Sequence, residues 1–181
     1  ERFINTFDSL AGQKLYRNDI SIDTKGNNQI SFTEVTSQAG INGSKIGYGL
    51  GVAVADIDLD GWPDLYVGND FHENDYLYMN QHDGTFSDES SKRLMHTSEF
   101  SMGVDVADVT NDAYPEIVSM DMLPYDPYML RRSLAEDDYT IFNQKISFGY
   151  NYQYARNNLQ YNRRNGMFSE VGQYAGIYAT D

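Results

Sequence analysis

The sequence contains no cysteine. That excludes a disulfide scaffold, a thiolate metal site and a cysteine nucleophile, and it leaves the redox compartment open. Basic residues are few: 13 Lys and Arg stand against 27 Asp and Glu, for a net charge of −14. A chain this acidic repels phosphate backbones, which argues against nucleic-acid binding. No apolar run approaches the roughly 20 residues that cross a bilayer. The chain begins at Glu1 without a signal peptide, as a mature or partial chain would. Proline is sparse, at 4 residues, whereas tyrosine is abundant, at 15. Tyrosine enrichment favours strands and exposed aromatic surfaces. The 181 residues suffice for one domain with a real core.

The most informative stretch is Asp56-Ile57-Asp58-Leu59-Asp60-Gly61-Trp62-Pro63-Asp64. It sets carboxylates at positions one, three, five and nine of a tight loop. Carboxylates this close repel one another unless a cation sits among them. Oxygen ligands at this spacing favour a hard cation, and Ca2+ matches best. Gly61 stands where the loop must turn sharply, and Trp62 would add its backbone carbonyl. This is not an EF-hand: the position for the bidentate Glu is Val67, and the flanking runs Gly51–Ala55 and Leu65–Val67 read as strands. An Asp-rich solvated turn is the plainer alternative.

The loop recurs at Asp108-Val109-Thr110-Asn111-Asp112-Ala113-Tyr114-Pro115-Glu116, after a matching strand, Gly103–Ala107. A second pattern follows each loop. Leu77-Tyr78-Met79-Asn80, then Asp83-Gly84-Thr85-Phe86, matches Leu159-Gln160-Tyr161-Asn162, then Asn165-Gly166-Met167-Phe168. Leu15-Tyr16-Arg17-Asn18 and Phe32-Thr33-Glu34-Val35 carry it at the start of the chain. The run from Phe32 to Ala39-Gly40-Ile41 repeats from Phe168 to Ala175-Gly176-Ile177. Four short strands in a repeat of about 50 residues are the signature of a β-propeller blade. The expected fold is all-β, a partial propeller of roughly three antiparallel units where closure needs about four to eight. Residues 1–41 form the tail of one blade, 42–95 a blade with the cation loop, and 96–181 a blade with an insertion. The open ends of the array should expose apolar faces.

These units resemble the FG-GAP/VCBS repeats of integrin-α-like propellers, and the likeness extends to bacterial relatives of cartilage acidic protein. It spans about Leu15 to Asp181. The resemblance implies calcium binding at Asp56, Asp58, Asp60 and Asp64. It also implies a secreted or cell-surface setting, outer-membrane-associated if the source is bacterial, and an interaction role within a larger surface complex. The second loop departs from the pattern: Thr110 offers only a neutral oxygen, Ala113 replaces the glycine and Glu116 the last Asp. Asp108, Thr110, Asp112 and Glu116 leave a weaker second site.

Phe86 to Phe168 is a longer step than Phe32 to Phe86, and the excess lies between Asp121 and Asn158. Asp126-Pro127 is a helix start, and Leu130, Arg131, Arg132, Leu134, Glu136, Asp137 and Asp138 predict one short amphipathic helix within 125–140. Phe148-Gly149-Tyr150-Asn151-Tyr152-Gln153-Tyr154 then alternates as an edge strand or an aromatic platform, with Tyr150, Tyr152 and Tyr154 as candidate partner contacts; packing onto neighbouring blades is the plainer reading. His72, His82 and His96 read as surface loop residues. The leading reading is a calcium-binding, non-enzymatic surface module that binds a protein or glycan. The alternative is part of a calcium-containing propeller lyase or hydrolase acting on polysaccharide. No nucleophile signature accompanies His72-Glu73, and fold alone does not decide.

Overall fold

The computed structural model describes residues 6–133 and 137–180. A hairpin comes first, β1 (Tyr16–Ile22) with β2 (Asn28–Glu34). Two four-stranded antiparallel sheets follow. The first runs β3 (Gly49–Ala55), β4 (Asp64–Asn69), β5 (Tyr76–Asn80) and β6 (Phe86–Asp88) in chain order. A turn of helix, α1 (Ser90–Arg93), and a short strand, β7 (Thr97–Ser98), lead to the second sheet. Its strands are β8 (Gly103–Ala107), β9 (Glu116–Met120), β11 (Asn158–Asn162) and β12 (Phe168–Glu170), again side by side in chain order. The fold is all-β, a partial propeller of two four-stranded blades preceded by a hairpin, and among the described residues the sheets do not close on one another.

The inner strands β3 and β8 lie next to each other, which stacks the blades. Glycine permits the approach: a Cβ on Gly68 would meet Ser101 Oγ at 2.6 Å and Val104 Cγ1 at 2.8 Å. Strand periodicity divides β5 between two cores. Leu77 and Met79 join Tyr66, Ile57, Leu94, Ile117 and Phe168 on the side of the second blade. Tyr76 and Tyr78 join Val67, Ala39 and Ile41 on the side of the hairpin. Burial on both faces explains why β4 and β5 read as nearly continuous apolar and aromatic runs. Beyond that second cluster the face is open. Val52 and Val54 are exposed, beside a cleft of about 470 Å³ that Leu15, Ile41, Leu65 and Val67 also line.

The insertion connects β9 to β11, and here the expected helix needs correcting. Asp126 does cap a helix, accepting from Tyr128 N at 2.8 Å with Pro127 in the first turn, but α2 (Pro127–Leu130) ends after one turn. None of its residues is buried, so no packing extends it past a costly nucleus. The sizeable helix is α3 (Tyr139–Phe148), and Asp138, expected inside a helix, caps it by accepting from Thr140 N and Ile141 N. Short acidic side chains favour that capping role over a helix interior. Asp137 likewise precedes the helix; Leu134 and Glu136 lie outside the described residues. Gly149, at φ 89°, ends α3. Of the aromatic stretch only β10 (Gln153–Tyr154) is strand, paired parallel to β7. A last turn of helix, α4 (Gly172–Ala175), follows β12.

Candidate functional site

The Asp loop joins β3 to β4, and backbone hydrogen bonds aim its carboxylates. Asp56 Oδ1 and Oδ2 accept from Asp60 N and Gly61 N, both at 2.9 Å. Asp64 is 1% exposed; its oxygens accept from Ile57 N at 3.0 Å and Asn80 N at 2.8 Å. Burial pushes the Asp64 carboxyl up, against the pull of those two N–H donors. Gly61 takes φ +91°, as the turn requires. Asp56, Asp58 and Asp64 each offer an oxygen, all within 4.8 Å of one another. Ligands at about 2.4 Å from one calcium ion lie at most about 4.8 Å apart, so the donor set fits a hard cation.

Asp60 is not in that group. Its Oδ1 accepts from Trp62 N at 2.8 Å, and its Oδ2 lies 2.6 Å from His82 Nε2. The His82 hydrogen bond, then the Trp62 N–H, hold Asp60 below the usual carboxylate range. Trp62 stacks on the His82 ring, with centroids 5.0 Å apart. His82 is therefore part of the loop's frame, although in sequence it reads as an ordinary turn residue.

The second loop repeats this frame. Asp108 accepts from Asp112 N and Ala113 N, Asp112 from Tyr114 N, and Glu116 from Val109 N. Ala113 adopts φ 69° where the first loop has glycine. Arg164 takes the place of His82: it ion-pairs with Asp112 and lies over the Tyr114 ring. The Arg164 hydrogen bond, then the Tyr114 N–H, lower the Asp112 carboxyl. Thr110 brings no carboxylate, and among the described residues this loop forms no three-ligand group. The basic residue could have been found by extending the LxxN alignment: Asn80-Gln81-His82-Asp83-Gly84 matches Asn162-Arg163-Arg164-Asn165-Gly166. The asparagine of that motif ties the Asp loop to the Gly turn. Asn80 donates to Pro63 O at 3.0 Å and Asn162 to Pro115 O at 3.2 Å.

β9 starts at the second Asp loop and ends at the insertion, so the two features lie at opposite ends of the strands. Buried polar bonds anchor the insertion. Gln153 Nε2 donates to Glu73 O at 2.8 Å, Asn151 N to Asn74 Oδ1 at 3.0 Å, and Thr97 N to Tyr152 O at 2.9 Å. Tyr154 is half-buried, with its ring 5.9 Å from Phe142, 4.9 Å from His96 and under Arg156. Tyr152 is 51% exposed and faces Phe142; Tyr150 is half-buried beside Leu94 and Ile146. Tyr139, unremarked in the sequence, is 84% exposed at the start of α3. His96 Nε2 lies 3.3 Å from Glu170, and His72 offers a ring nitrogen within 4.8 Å of oxygens of Glu99 and Asp137. Among the described residues no helix is long and apolar enough to cross a membrane.

Residues 56–119 match the family model of the FG-GAP-like repeat. Among curated proteins the chain is similar to integrin alpha-7 of Homo sapiens, 37% identical over 82 residues, and integrin alpha-3 of Mus musculus, 30% identical over 90 residues. These matches cover 39% and 42% of this chain, but only 7% and 8% of the relatives. The chain thus spans less than a tenth of the length of the proteins it matches.

Proposed function

Starting from a chain that carries FG-GAP-like repeats of the integrin-α-like propeller type, we propose that it is a calcium-stabilised, non-enzymatic interaction module of a secreted or cell-surface protein. The observation that carries the reading is the division of the fold. An acidic loop fit for a hard cation occupies one end of the strands, and an anchored insertion with exposed aromatics occupies the other. Asp56, Asp58 and Asp64 hold the ion, with Asp60 and the Trp62 carbonyl completing its shell, alone or through water. When bound, calcium supplies charge neutralisation and fixes the turn between two blade strands. The second loop uses the Arg164 guanidinium on Asp112 in part of that role, so it is the weaker site.

The partner, a protein or a glycan, docks on the insertion face through Tyr152 and Tyr139, with Tyr150 and Tyr154 supporting from beneath. Amphipathic rings on a rigid support suit either class of partner. The test has two arms. Calorimetry with calcium on chelator-stripped protein should show saturable binding that Asp58→Ala removes. Pull-down and glycan-array binding should fall when Tyr139 and Tyr152 are both changed to Ala, with the calcium response retained. No calcium uptake by folded protein overturns the first half; unchanged partner binding by the double variant overturns the second.

A further inference from the structure

A second cluster of ligating side chains lies at the insertion end, away from the Asp loops. His72 follows β4, Glu99 follows β7 and Asp137 precedes α3, so three distant segments of sequence converge. One ligand atom from each lies within 4.8 Å of the others. Glu99 is 2% exposed, Asp137 is half-buried and His72 is on the surface. A cation already sits here: Lys145 Nζ is 2.9 Å from Glu99 Oε1 and 2.9 Å from Asp137 Oδ2. One ammonium against two carboxylates leaves one negative charge beside a buried side chain, which is costly unless a proton or another cation joins. Gln153, 4% exposed, lines the same cleft of about 260 Å³, and its Oε1 has no hydrogen-bond partner.

The donor set selects the ion. Calcium takes oxygen alone, whereas an imidazole with two carboxylates suits a first-row divalent transition ion. Such ligands stand about 2.0–2.2 Å from zinc and therefore at most about 4.4 Å apart, so a small inward movement completes the set. Each carboxylate gives Lys145 one oxygen and has a second to offer. Lys145 thus acts as an outer partner that orients both ligands. His72 stands at the solvent side, where an ion would enter.

We propose that His72, Glu99 and Asp137 form a binding site for a transition-metal ion of the zinc or manganese class, which clasps the insertion to the connections after β4 and β7. The site is independent of the calcium loop, and its consequence is mechanical: a bound ion fixes the base of α3, and with it the aromatic cleft.

The experiment uses the intact chain, stripped with chelator and then held in millimolar calcium so that the Asp loops do not compete. Titration with zinc chloride and with manganese chloride by calorimetry should give one ion per chain for at least one of the two metals. Cobalt substitution should give visible absorption bands whose intensity reports the coordination number of the bound ion and which His72→Ala alters. His72→Ala, a surface change that leaves the Glu99–Lys145 pair intact, should weaken binding at least tenfold, as should Asp137→Asn. Asp58→Ala should leave it unchanged, which separates this site from the calcium loop. Absence of both ions from folded wild-type protein, or an affinity that His72→Ala does not alter, overturns the proposal. The second result would mean adventitious binding at His82 or His96.

Discussion

Asp58 and Asp64 both point into the cation loop, yet they differ in what else they hold, and that difference can be measured. Asp64→Ala strands Ile57 N and Asn80 N at a buried position. An unsatisfied buried donor costs about 1–3 kcal/mol, so the pair should cost about 2–6 kcal/mol, reduced somewhat because a buried carboxylate is itself penalised. Among the described residues Asp58 pairs with Arg93, with Nη1 at 3.7 Å, and a pair of that kind contributes about 0–1 kcal/mol. Unfolding followed in chelator should therefore place Asp64→Ala below the wild type by about 6–12 °C, taking about 3 kcal/mol and about 2–4 °C per kcal/mol at this size. Asp58→Ala should stay close to the wild type, since losing the Arg93 contact is offset by relief of repulsion from Asp56 and Asp64. Calcium at ten times its dissociation constant should then raise the wild type by about 1.4 kcal/mol and neither variant. An Asp64→Ala protein that melts like the wild type in chelator would refute the account of backbone anchoring. A calcium gain retained by Asp58→Ala would refute its role as a ligand.

Further outcomes are expected. Gly61→Ala should cost about 1 kcal/mol, because only backbone strain at φ +91° opposes the methyl group, and Ala113→Gly should gain about 0.5 kcal/mol where strain relief outweighs chain entropy; denaturant midpoints read both. Burial raises Asp75 from 3.8 to about 7, above its unfolded value, so its folded form binds the proton more tightly and stability should fall as pH rises from about 4 through 7, by about 4 kcal/mol at most. Asp75→Asn should flatten that slope in melts taken across the range, since the amide can still accept from Asn69 N and donate to the Tyr66 oxygen. Leu77→Ala, at the centre of the blade–blade core, should cost about 2–5 kcal/mol in chemical denaturation.

The strand framework was legible because its signals repeat. Each Asp loop, LxxN and Phe start of the two complete blades maps onto a turn or strand boundary; in the hairpin the strands run on past these marks, although Asn18 still pairs with Phe32. The convergence of Asp56, Asp58 and Asp64 was legible for a related reason, since alternating Asp residues around Gly61 turn toward one point, whereas Asp60 turns away to His82. The insertion was harder, because one unit alone has it. Asp126-Pro127 marked a true helix start, but nothing local showed that no apolar face would extend that helix or that Asp138 would begin a longer one. His82 and Arg164 were missed because their partners, Asp60 and Asp112, lie far off in sequence. The His72–Glu99–Asp137 group depends on three loops meeting, which no spacing rule reveals.

The joints between units differ in kind. At the first, the Ala39 carbonyl accepts from Phe86 N at 2.8 Å, and a methyl group on Gly40 would sit 2.5 Å from the Phe86 carbonyl oxygen. The same step after Phe86 reaches not glycine but Leu94, which is buried in the cluster that contains Phe168. One joint is backbone against backbone and admits only a residue without a side chain at φ +76°. The other is side chain into core and needs a large one. The two couplings are thus keyed like plugs of different gauge. A unit ending in leucine cannot seat at the first, and one ending in glycine leaves a hole at the second. Repeat arrays are prone to exchange and misalignment between similar units. Here an exchange between the first and second units would be opposed at the point of contact.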